Sequence, residues 1–548
     1  MVRSQVGPGS RVGAGPMADR PGARGSGPTR GAAALAGLLA TAVALGLAEL
    51  VSGLLPGTGS LVLAVGDTVV EAVPGWLERV AITTLATADK PTLVVGVLVL
   101  SAAFGAALGV LGRRRETLAY AGLVAFAALG VVAALADSRT VLVAAVTAGL
   151  VGSVGGVLTL RLLLRAAPRV TDLDRGSDAG AGAVPGHIEP TLGIGRRPFL
   201  RLVAVAAGVA AAGASAGRWL ASSEAVERVR AAVRIPRPQR TAPVVPAGAD
   251  LDVPGLSPLF TPNEDFYRID TALTVPRVDP SRWSLEVRGM VDDPFTLTYD
   301  DLLTMPHVEA DITLSCVSNE VGGGLVGNAR WQGVPLHVLL ERAGVRPGAT
   351  QLLGHSVDGF TAGFPTELAL EIPEAMVAVA MNGEPLPAEH GFPARIVVPG
   401  LYGYVSATKW LSAIELTTFD ADEGYWIPRG WAREGPVKTQ SRIDVPRPSS
   451  PVQAGRIAVA GVAWAPTRGI ERVEVQVDDG PWVEARLAAA LHVDTWRQWV
   501  HEWEATPGRH TLAVRATDGT GETQTAEREP VAPDGATGRH TIEVVVEG

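Results

Sequence analysis

Apolar residues come in long runs over the first 220 residues of the chain. A run of about twenty apolar residues is long enough to cross the hydrocarbon core of a bilayer as a helix. The pattern therefore predicts transmembrane helices at 31–55, 92–111, 118–136 and 141–160, with a further apolar run at 202–212. The segment 61–82 is apolar but interrupted by acids, which favours an interfacial or re-entrant segment. We expect an all-α membrane region at 31–220, with about five transmembrane helices.

Beyond residue 250 the apolar positions follow shorter patterns. Trp283, Leu285 and Val287 alternate as in a strand, and a short helix is expected at 299–305, after the polar Thr298. A second helix is expected at 335–343 and a strand at 396–398. This mixture predicts an α+β domain at 251–441, preceded by a proline-rich, semi-rigid linker at 221–250.

From residue 442 to the end, short alternating segments are separated by turn sequences. Strands are predicted at 457–460, 473–477, 511–514 and 541–546. This spacing is typical of an immunoglobulin-like β-sandwich. Most of the tryptophans in this part should pack in its core or between domains: Trp464, Trp482, Trp496, Trp499 and Trp503.

Basic residues set the expected orientation in the membrane. Arg113, Arg114 and Arg115 lie between the second and third spans, and four more arginines follow the fourth span, whereas acids outnumber bases at 56–90. Positive residues favour the cytoplasmic side, so the N-terminus is predicted to be cytoplasmic and the chain beyond about Leu220 extracytoplasmic. Residues 1–30 are rich in Gly, Pro and Arg and are expected to form a disordered cytoplasmic tail.

A pair of arginines, Arg196 and Arg197, precedes Pro198, Phe199 and Leu200 and then the last apolar run. Paired arginines are common in cytoplasmic loops, but this order resembles a twin-arginine export signal, which moves folded proteins. The last apolar run is then either kept as an anchor or cut near Ala216.

Composition agrees with a chain of two unlike halves. A mean hydropathy of +0.23 with 19% charged residues is too apolar for a purely soluble protein and too polar for a pure transporter. The formal net charge of −9 disfavours a nucleic-acid partner.

Cys316 is the only cysteine among the 548 residues. It therefore forms no internal disulfide, and it cannot provide covalent haem attachment, a zinc finger or a Cys-ligated iron–sulfur cluster. It is either a small buried apolar residue or a thiolate that serves as metal ligand or nucleophile. Its predicted position, where a strand ends before three consecutive glycines (322–324), favours the functional interpretation.

Several motifs in the same order resemble the sulfite oxidase family of molybdenum enzymes, over roughly 254 to the C-terminus. They are Cys316, Asn328-Ala329-Arg330-Trp331 with Gly333-Val334-Pro335-Leu336, Met381-Asn382-Gly383-Glu384-Pro385-Leu386-Pro387, and His390-Gly391-Phe392-Pro393-Ala394-Arg395. The resemblance implies that the Cys316 thiolate binds molybdenum, which also takes two sulfurs from one pyranopterin dithiolene (molybdopterin). It implies an oxidoreductase that transfers an oxygen atom to or from a small-molecule substrate.

The resemblance also implies a set of cofactor-binding residues. Arg395 and Lys409 would donate charge-assisted hydrogen bonds to an anionic pterin, and the glycine-containing loop before Lys409 would offer backbone N–H groups. For His390 the alternative is a structural histidine, for Arg395 a surface ion pair, and Asn382 is expected to hold its turn. The complete predicted set is Tyr267, Arg268, Ser356, Asp358, His390, Arg395, Gly403, Tyr404, Val405, Ser406 and Lys409.

The substrate is less clear from the motifs. Sulfite oxidases usually have Asn-Arg-Arg soon after the cysteine, whereas this chain has Asn319-Glu320-Val321. An active-site tyrosine expected after an Asp-Gly pair is Phe360 here. A neutral sulfoxide, such as methionine sulfoxide, therefore competes with sulfite as the substrate.

Two other classes of protein remain as alternatives. One is a membrane transport or sensory protein whose outer domain only binds a ligand, although the predicted spans lack the basic residues and histidines of conduction pathways. The other is a molybdenum-free descendant of the family.

The chain is expected to carry no haem and no iron–sulfur cluster. None of its nine histidines lies in a predicted span, and no methionine occurs between Met17 and Met290. Electrons would therefore pass to a separate electron-transfer protein or haem subunit. The expected partners also include the lipid bilayer and, since the C-terminal domain pairs subunits in many family members, a second copy of the chain.

Overall fold

The computed structural model describes residues 28–55, 60–72, 89–136, 140–168, 196–221, 224–448 and 450–548. The predictions for the tail at 1–27 and for most of the loops at 56–88 and 169–195 lie outside these residues. The chain divides into two compact units. The first comprises the described residues within Met1–Val62, Val95–Val132 and Leu142–Arg218, and the second those within Leu63–Val94, Ala133–Val141 and Trp219–Gly548.

Within the residues that the structure describes, five long helices are apolar enough to cross a membrane, which agrees with the expected number. A shorter helix, α2 (Leu61–Ala72), lies where an interfacial or re-entrant segment was predicted. The long helices are α1 (Arg30–Leu54), α3 (Asp89–Gly112), α4 (Glu116–Ala136), α5 (Leu142–Ala166) and α6 (Arg196–Ala221).

Helix α1 packs against its neighbours in the first unit through glycines. A Cβ atom added at Gly37 would lie 2.0 Å from the carbonyl oxygen of Gly105 in α3. One added at Gly213 of α6 would lie 2.6 Å from the carbonyl oxygen of Gly46. Small residues allow this backbone contact, which is a common way for membrane helices to associate.

The predicted linker contains a helix, α7 (Glu224–Ala232), before the prolines begin. The proline-rich stretch that follows is bound to the α+β region. The Gln239 N–H donates to the carbonyl of His307 at 2.8 Å, and the Glu309 N–H donates to that of Arg240 at 2.8 Å. This part of the segment is therefore attached along its length and does not act as a free spacer.

The α+β region contains two sheets, with strand orders β2-β1-β10-β5-β6 and β3-β4-β7-β8, and β9 pairs with β7. Thr298 and Asp301 form the capping box that starts helix α8, which confirms the predicted helix there. The strands are β1 (Ser284–Gly289), β2 (Phe295–Thr298), β3 (Val308–Ser315), β4 (Val326–Pro335), β5 (Gln351–Ser356), β6 (Thr361–Pro365), β7 (Met376–Met381), β8 (Glu384–Pro385), β9 (Arg395–Val397) and β10 (Leu411–Thr417). The helices are α8 (Tyr299–Thr304), α9 (Leu336–Ala343), α10 (Thr366–Glu371) and α11 (Gly403–Ser406).

The C-terminal region contains two further sheets, with orders β11-β13-β17-β16 and β12-β19-β18-β14-β15. Each of the four predicted strands lies within a longer strand. Trp464, Trp496, Trp499 and Trp503 are buried, as expected, while Trp482 is partly exposed. The strands are β11 (Gln440–Val445), β12 (Pro451–Gln453), β13 (Gly455–Trp464), β14 (Ile470–Val477), β15 (Trp482–Glu484), β16 (Arg486–Leu487), β17 (Arg497–Ala505), β18 (Gly508–Asp518) and β19 (His540–Glu547).

Strand β3, which ends just before Cys316, is bound to the C-terminal region. The Thr313 N–H donates to the carbonyl of Asp494 at 2.9 Å. The Trp496 N–H donates to the Thr313 hydroxyl at 2.7 Å, and the Trp496 indole donates to the carbonyl of Leu259 at 2.8 Å. The C-terminal region therefore helps to fix the strand that presents the cysteine.

Candidate molybdenum and pterin site

Cys316 follows the last residue of β3, as the alternation of Ile312 and Leu314 predicted. Its side chain is buried, and the Ser318 N–H lies 3.4 Å from the sulfur and points to it. Burial raises the pKa of the thiol, and the Ser318 N–H and the charge of Lys409 only partly oppose this. A buried thiol of raised pKa is a poor free nucleophile, but a bound metal ion would deprotonate it.

Arg395 is a buried cation in the part of the chain that the structure describes, with no acidic partner there. Its guanidinium lies over the ring of Trp331, 5.1 Å from the centroid, and donates to the carbonyl of His390 at 3.2 Å. Burial lowers the pKa of Arg395 to about 10. A buried guanidinium that lacks a carboxylate suits an anionic ligand, so the surface ion pair considered for this residue is not observed.

His390 is held beside Arg395 in a neutral form. Its Nε2 donates to the carbonyl of Asn263 at 2.9 Å, and Phe266 packs edge-on against its ring. Burial lowers the pKa of His390 to about 4. The ring therefore has a structural bond through Nε2 and adds no positive charge near Arg395.

Tyr267 interacts electrostatically with both the cysteine and Arg395. Its ring stacks on Phe266 at 5.2 Å, and its hydroxyl is within electrostatic range of both Cys316 and Arg395. Burial, first, and the charge of Cys316 raise the pKa of Tyr267, so the phenol stays protonated. The structure thus brings Tyr267, His390, Arg395 and Cys316 together, from three separate parts of the sequence.

Lys409 and Arg268 meet at a carboxylate that the sequence analysis did not select. Asp270 Oδ2 accepts hydrogen bonds from Lys409 Nζ at 2.8 Å and from Arg268 Nε at 2.8 Å. Burial lowers the pKa of Lys409 to about 8, although Asp270 opposes this shift. The only sequence signal for Asp270 is its spacing of two residues from Arg268, in a segment that forms neither helix nor strand.

Ser356 is the last residue of β5, and Asp358 lies in the turn between β5 and β6. The Val357 N–H donates to the carbonyl of Trp410 at 2.8 Å, which places this turn beside Lys409 in the chain. The Oδ1 atom of Asp358 accepts from the Phe360 N–H at 3.2 Å, whereas Oδ2 is buried and has no hydrogen-bond partner among the described residues. The unpartnered oxygen is free to accept a hydrogen bond from a bound group.

Helix α11 contains four of the predicted cofactor-binding residues, and the side chains of two of them bond to the local backbone. The Ser406 hydroxyl donates to the carbonyl of Tyr402 at 3.1 Å, and the Tyr404 hydroxyl lies 2.7 Å from the carbonyl of Ala432. Both side chains therefore hold the local backbone, and the Val405 N–H itself donates to the carbonyl of Tyr402 at 3.3 Å.

Tyr402, which was not selected from the sequence, is buried. Burial, first, and the charge of Cys316 raise its pKa to about 12. Asn382, expected to be structural, has a φ of 52° and accepts a hydrogen bond from the Arg330 N–H at 2.9 Å. Its contacts match that expectation.

A metal at this place would need ligands beyond the protein. The described residues contain no group of three or more His, Cys, Asp or Glu side chains that could hold a metal ion. Within the described part of the chain, one buried thiol, a guanidinium without an acidic partner and a carboxylate oxygen without a hydrogen-bond donor nevertheless fit a metal that is carried by an anionic organic ligand.

Comparison with known proteins agrees with this donor set. Residues 272–426 match the family model described as the oxidoreductase molybdopterin binding domain. An uncharacterized oxidoreductase, YuiH of Bacillus subtilis, is 37% identical over 157 residues, which cover 29% of this chain and 76% of that protein. Mouse mitochondrial sulfite oxidase is 32% identical over 290 residues, 44% of this chain and 52% of that protein. The chain belongs to the sulfite oxidase family of molybdopterin oxidoreductases.

Other relatives of this family match over part of their length. The chain spans about half the length of the sulfite oxidases it matches, including the human mitochondrial enzyme (32% identity, 46% of this chain and 55% of that protein). Among solved structures, the sulfane dehydrogenase SoxCD from Paracoccus pantotrophus has a TM-score of 0.47 and 26% identity, over 53% of this chain and 82% of that chain.

Proposed function

We propose that this member of the sulfite oxidase family is a membrane-anchored, molybdenum-dependent oxidoreductase that transfers an oxygen atom to or from a small-molecule substrate. The observation that carries this proposal is that one buried thiol, Cys316, and the buried guanidinium of Arg395, which has no acidic partner among the described residues, both interact electrostatically with Tyr267. Oxidation of a substrate by this route consumes one water molecule and releases two protons and two electrons.

Each chemical role falls to a residue of the site. When bound, the molybdenum–pterin group supplies two-electron redox chemistry and oxygen-atom transfer. Cys316 would bind the metal, and Arg395 would donate to the anionic pterin. Tyr267 stays protonated and can donate a hydrogen bond beside the thiol. The other proposed cofactor contacts are Arg268, Ser356, Asp358, His390, Gly403, Tyr404, Val405, Ser406 and Lys409.

A second candidate activity is the reduction of a sulfoxide, such as methionine sulfoxide. It is supported by the segment after the cysteine, where Glu320 is exposed and acidic at a place where sulfite oxidases are basic. Phe360, where a tyrosine was expected, packs on Tyr425 with ring centroids 5.8 Å apart. Surroundings that are apolar and carry fewer positive charges than those of sulfite oxidases favour a neutral substrate over the sulfite anion.

Metal and pterin analysis of the purified full chain tests the proposal first. Wild type should contain close to one molybdenum and one pterin per chain, and Cys316→Ser should retain its fold but lose turnover because a hard alkoxide replaces the soft thiolate. Sulfite-dependent reduction of ferricyanide and sulfoxide-dependent oxidation of a reduced viologen then separate the two activities. A chain without molybdenum that still binds a ligand would instead support a binding protein.

We also propose that the five apolar helices anchor the chain in the cell membrane with a cytoplasmic N-terminus and an extracytoplasmic catalytic domain. The apolar length of the helices supports this. Reporter fusions at Gly25 and Gly248 should lie in opposite compartments. If Arg196 and Arg197 belong to a twin-arginine signal, changing both to lysine should block export of the catalytic domain, and normal export would refute that role.

Two further proposals, on the C-terminal sheets and on the electron partner, follow from membership of the sulfite oxidase family. The C-terminal pair of sheets is an immunoglobulin-like sandwich that pairs two copies of the chain, and the electrons pass to a separate protein or haem subunit. The purified chain should therefore be a dimer in detergent by light scattering and should have no Soret band. A stoichiometric haem absorbance or a strictly monomeric chain would contradict these assignments.

A further inference from the structure

The loop that begins at Cys316 connects the antiparallel strands β3 and β4. The Cys316 N–H donates to the carbonyl of Leu325 at 2.9 Å, which extends the pairing of the two strands by one step. The buried side chain of Asn319 closes the loop from inside, since its Oδ1 atom accepts from the Leu325 N–H at 2.8 Å. These bonds fix the base of the loop. Its tip, where Gly324 is exposed, reaches the C-terminal region.

Arg442 of β11 holds that tip. Its side chain is 12% exposed, and its Nη1 atom donates to the carbonyl of Gly323 at 2.8 Å. The other two nitrogens also have partners, since Nε donates to Asp444 Oδ1 at 2.6 Å and Nη2 to the Ser257 hydroxyl at 2.9 Å. Asp444 Oδ2 in turn accepts from the Ser257 N–H at 3.1 Å. The planar guanidinium is therefore held in one orientation, and it offers the loop carbonyl a rigid donor.

A second residue of the C-terminal region confines the same tip. The His540 ring of β19 lies against Gly322, and its Nδ1 atom accepts from the Ile443 N–H at 3.0 Å. Because Ile443 directly follows Arg442, the two contacts with the loop are linked through one strand. The C-terminal region therefore contacts the loop at two adjacent glycines, through side chains that have fixed partners of their own.

We propose that Arg442 is a positioning residue for the reaction, which acts through the carbonyl of Gly323 to keep the Cys316 thiol in the orientation in which it binds the metal. The proposal rests on the proposed function, since it concerns the cysteine of that site. The role of Arg442 is mechanical, because it limits the motion of the loop. A hydrogen bond from a charged donor is stronger than one between neutral groups, so its loss should raise the fraction of molecules with an open loop by at least about tenfold.

The test uses the fact that Cys316 is the only cysteine, so any thiol reaction of the chain reports on this residue alone. The full chain is produced in cells without pterin synthesis and purified in detergent. The rate of its reaction with dithiodipyridine is measured in native buffer, where a buried thiol reacts only after local opening. Urea unfolding of the same samples gives the global stability. Arg442→Met should react at least about tenfold faster than wild type.

Arg468→Met is the matched control. Arg468 also lies in the C-terminal region, and it binds the buried carboxylate of Asp518 at 2.9 Å, the Val437 carbonyl at 3.0 Å and the Thr439 hydroxyl at 3.1 Å. None of these bonds reaches the cysteine loop. Both variants leave a buried carboxylate without its arginine and should lose similar amounts of global stability, whereas the thiol rate of Arg468→Met should stay within about twofold of wild type. Equal acceleration in the two variants would overturn the proposal.

Arg442→Lys decides the matter if Arg442→Met does not fold. Lysine keeps a positive charge beside Asp444 but lacks the planar fork that reaches Gly323 and Ser257 at the same time. Its thiol should react at least about threefold faster than that of wild type, with a urea midpoint close to that of wild type. In the loaded chain it should also shift the sulfur-to-molybdenum charge-transfer absorption, which Arg468→Met should leave in place. An unchanged thiol rate or an unchanged absorption in Arg442→Lys would overturn the proposal.

Failure of the proposed function has a different signature. A wild-type chain without molybdenum would contradict that function, whatever the thiol rates of the cofactor-free variants are. A wild-type chain that contains molybdenum, combined with equal thiol rates in wild type and Arg442→Lys, would instead contradict only the role of Arg442.

Discussion

Arg395→Met should separate the stability of the cofactor-free chain from its capacity to bind the cofactor. Burial lowers the pKa of Arg395 to about 10, against an ordinary value above about 12. At about 1.4 kcal/mol per pKa unit, holding this charge in the folded chain costs roughly 3 kcal/mol. Methionine removes the charge and keeps much of the apolar stem that packs in the site.

The substitution also removes favourable contacts. The guanidinium lies 5.1 Å from the Trp331 ring centroid, a contact of about 1 kcal/mol. Its hydrogen bond to the carbonyl of His390, at 3.2 Å, contributes about 1 kcal/mol more. The balance is a gain of about 1 kcal/mol in the unfolding free energy of the cofactor-free chain.

The assay uses the full chain produced in cells with and without pterin synthesis. Thermal unfolding of the cofactor-free variant should occur at or slightly above the wild-type midpoint, whereas pterin content of the loaded preparation should fall at least tenfold. Arg330→Met is the matched control, because Arg330 also lies over an aromatic ring but pairs with the fully buried Asp311 at 2.7 and 2.9 Å. This control should lose about 3 kcal/mol or more.

A cofactor-free Arg395→Met chain that unfolds as far below wild type as Arg330→Met does would refute the predicted gain in stability. A normal pterin content in the variant would show that the guanidinium does not bind the anionic pterin.

Two other predictions concern the contact between the cysteine loop and the C-terminal region. Gly322→Ala should lower the free energy of unfolding by about 2 kcal/mol or more and reduce molybdenum content, because Gly322 has a φ of +80° and a Cβ there would lie 2.2 Å from the His540 ring. Gly324→Ala is the control and should have little effect, since a Cβ there would meet open space. Equal losses of stability in the two variants would contradict this prediction. Burial, first, and the charge of Arg442 lower the pKa of His540 to about 4, so the unfolded chain takes up the proton first as pH falls. Stability should therefore decline by roughly 1 to 2 kcal/mol between pH 7 and 5, and urea unfolding of His540→Gln should lack that part of the decline.

The elements that could be predicted are those fixed by local sequence. The alternation of Ile312 and Leu314 placed Cys316 at a strand end because successive side chains of a strand point to opposite faces. Thr298 marked the start of a helix because its hydroxyl caps the free N–H of Asp301. The long helices followed from the length of their apolar runs.

The parts that could not be predicted depend on contacts between distant residues. Asp270 and Lys409 are 139 positions apart, so no local pattern indicates that they form an ion pair. Helix α7 was missed because the prolines that suggested an extended linker begin only after it ends. For Tyr404, the motif indicated the correct loop, but the contact of its hydroxyl with Ala432 depends on tertiary packing.

The bond between Thr313 and Trp496 also bears on the order of events in biosynthesis. The two residues are 183 positions apart, so the partner of the cysteine strand leaves the ribosome long after the strand itself. At ordinary elongation rates the delay is roughly 10 to 40 seconds. During that time strand β3, which precedes Cys316, lacks its contact with Trp496. Insertion of the metal should therefore follow translation, when the carboxyl-terminal segment has folded against the strand.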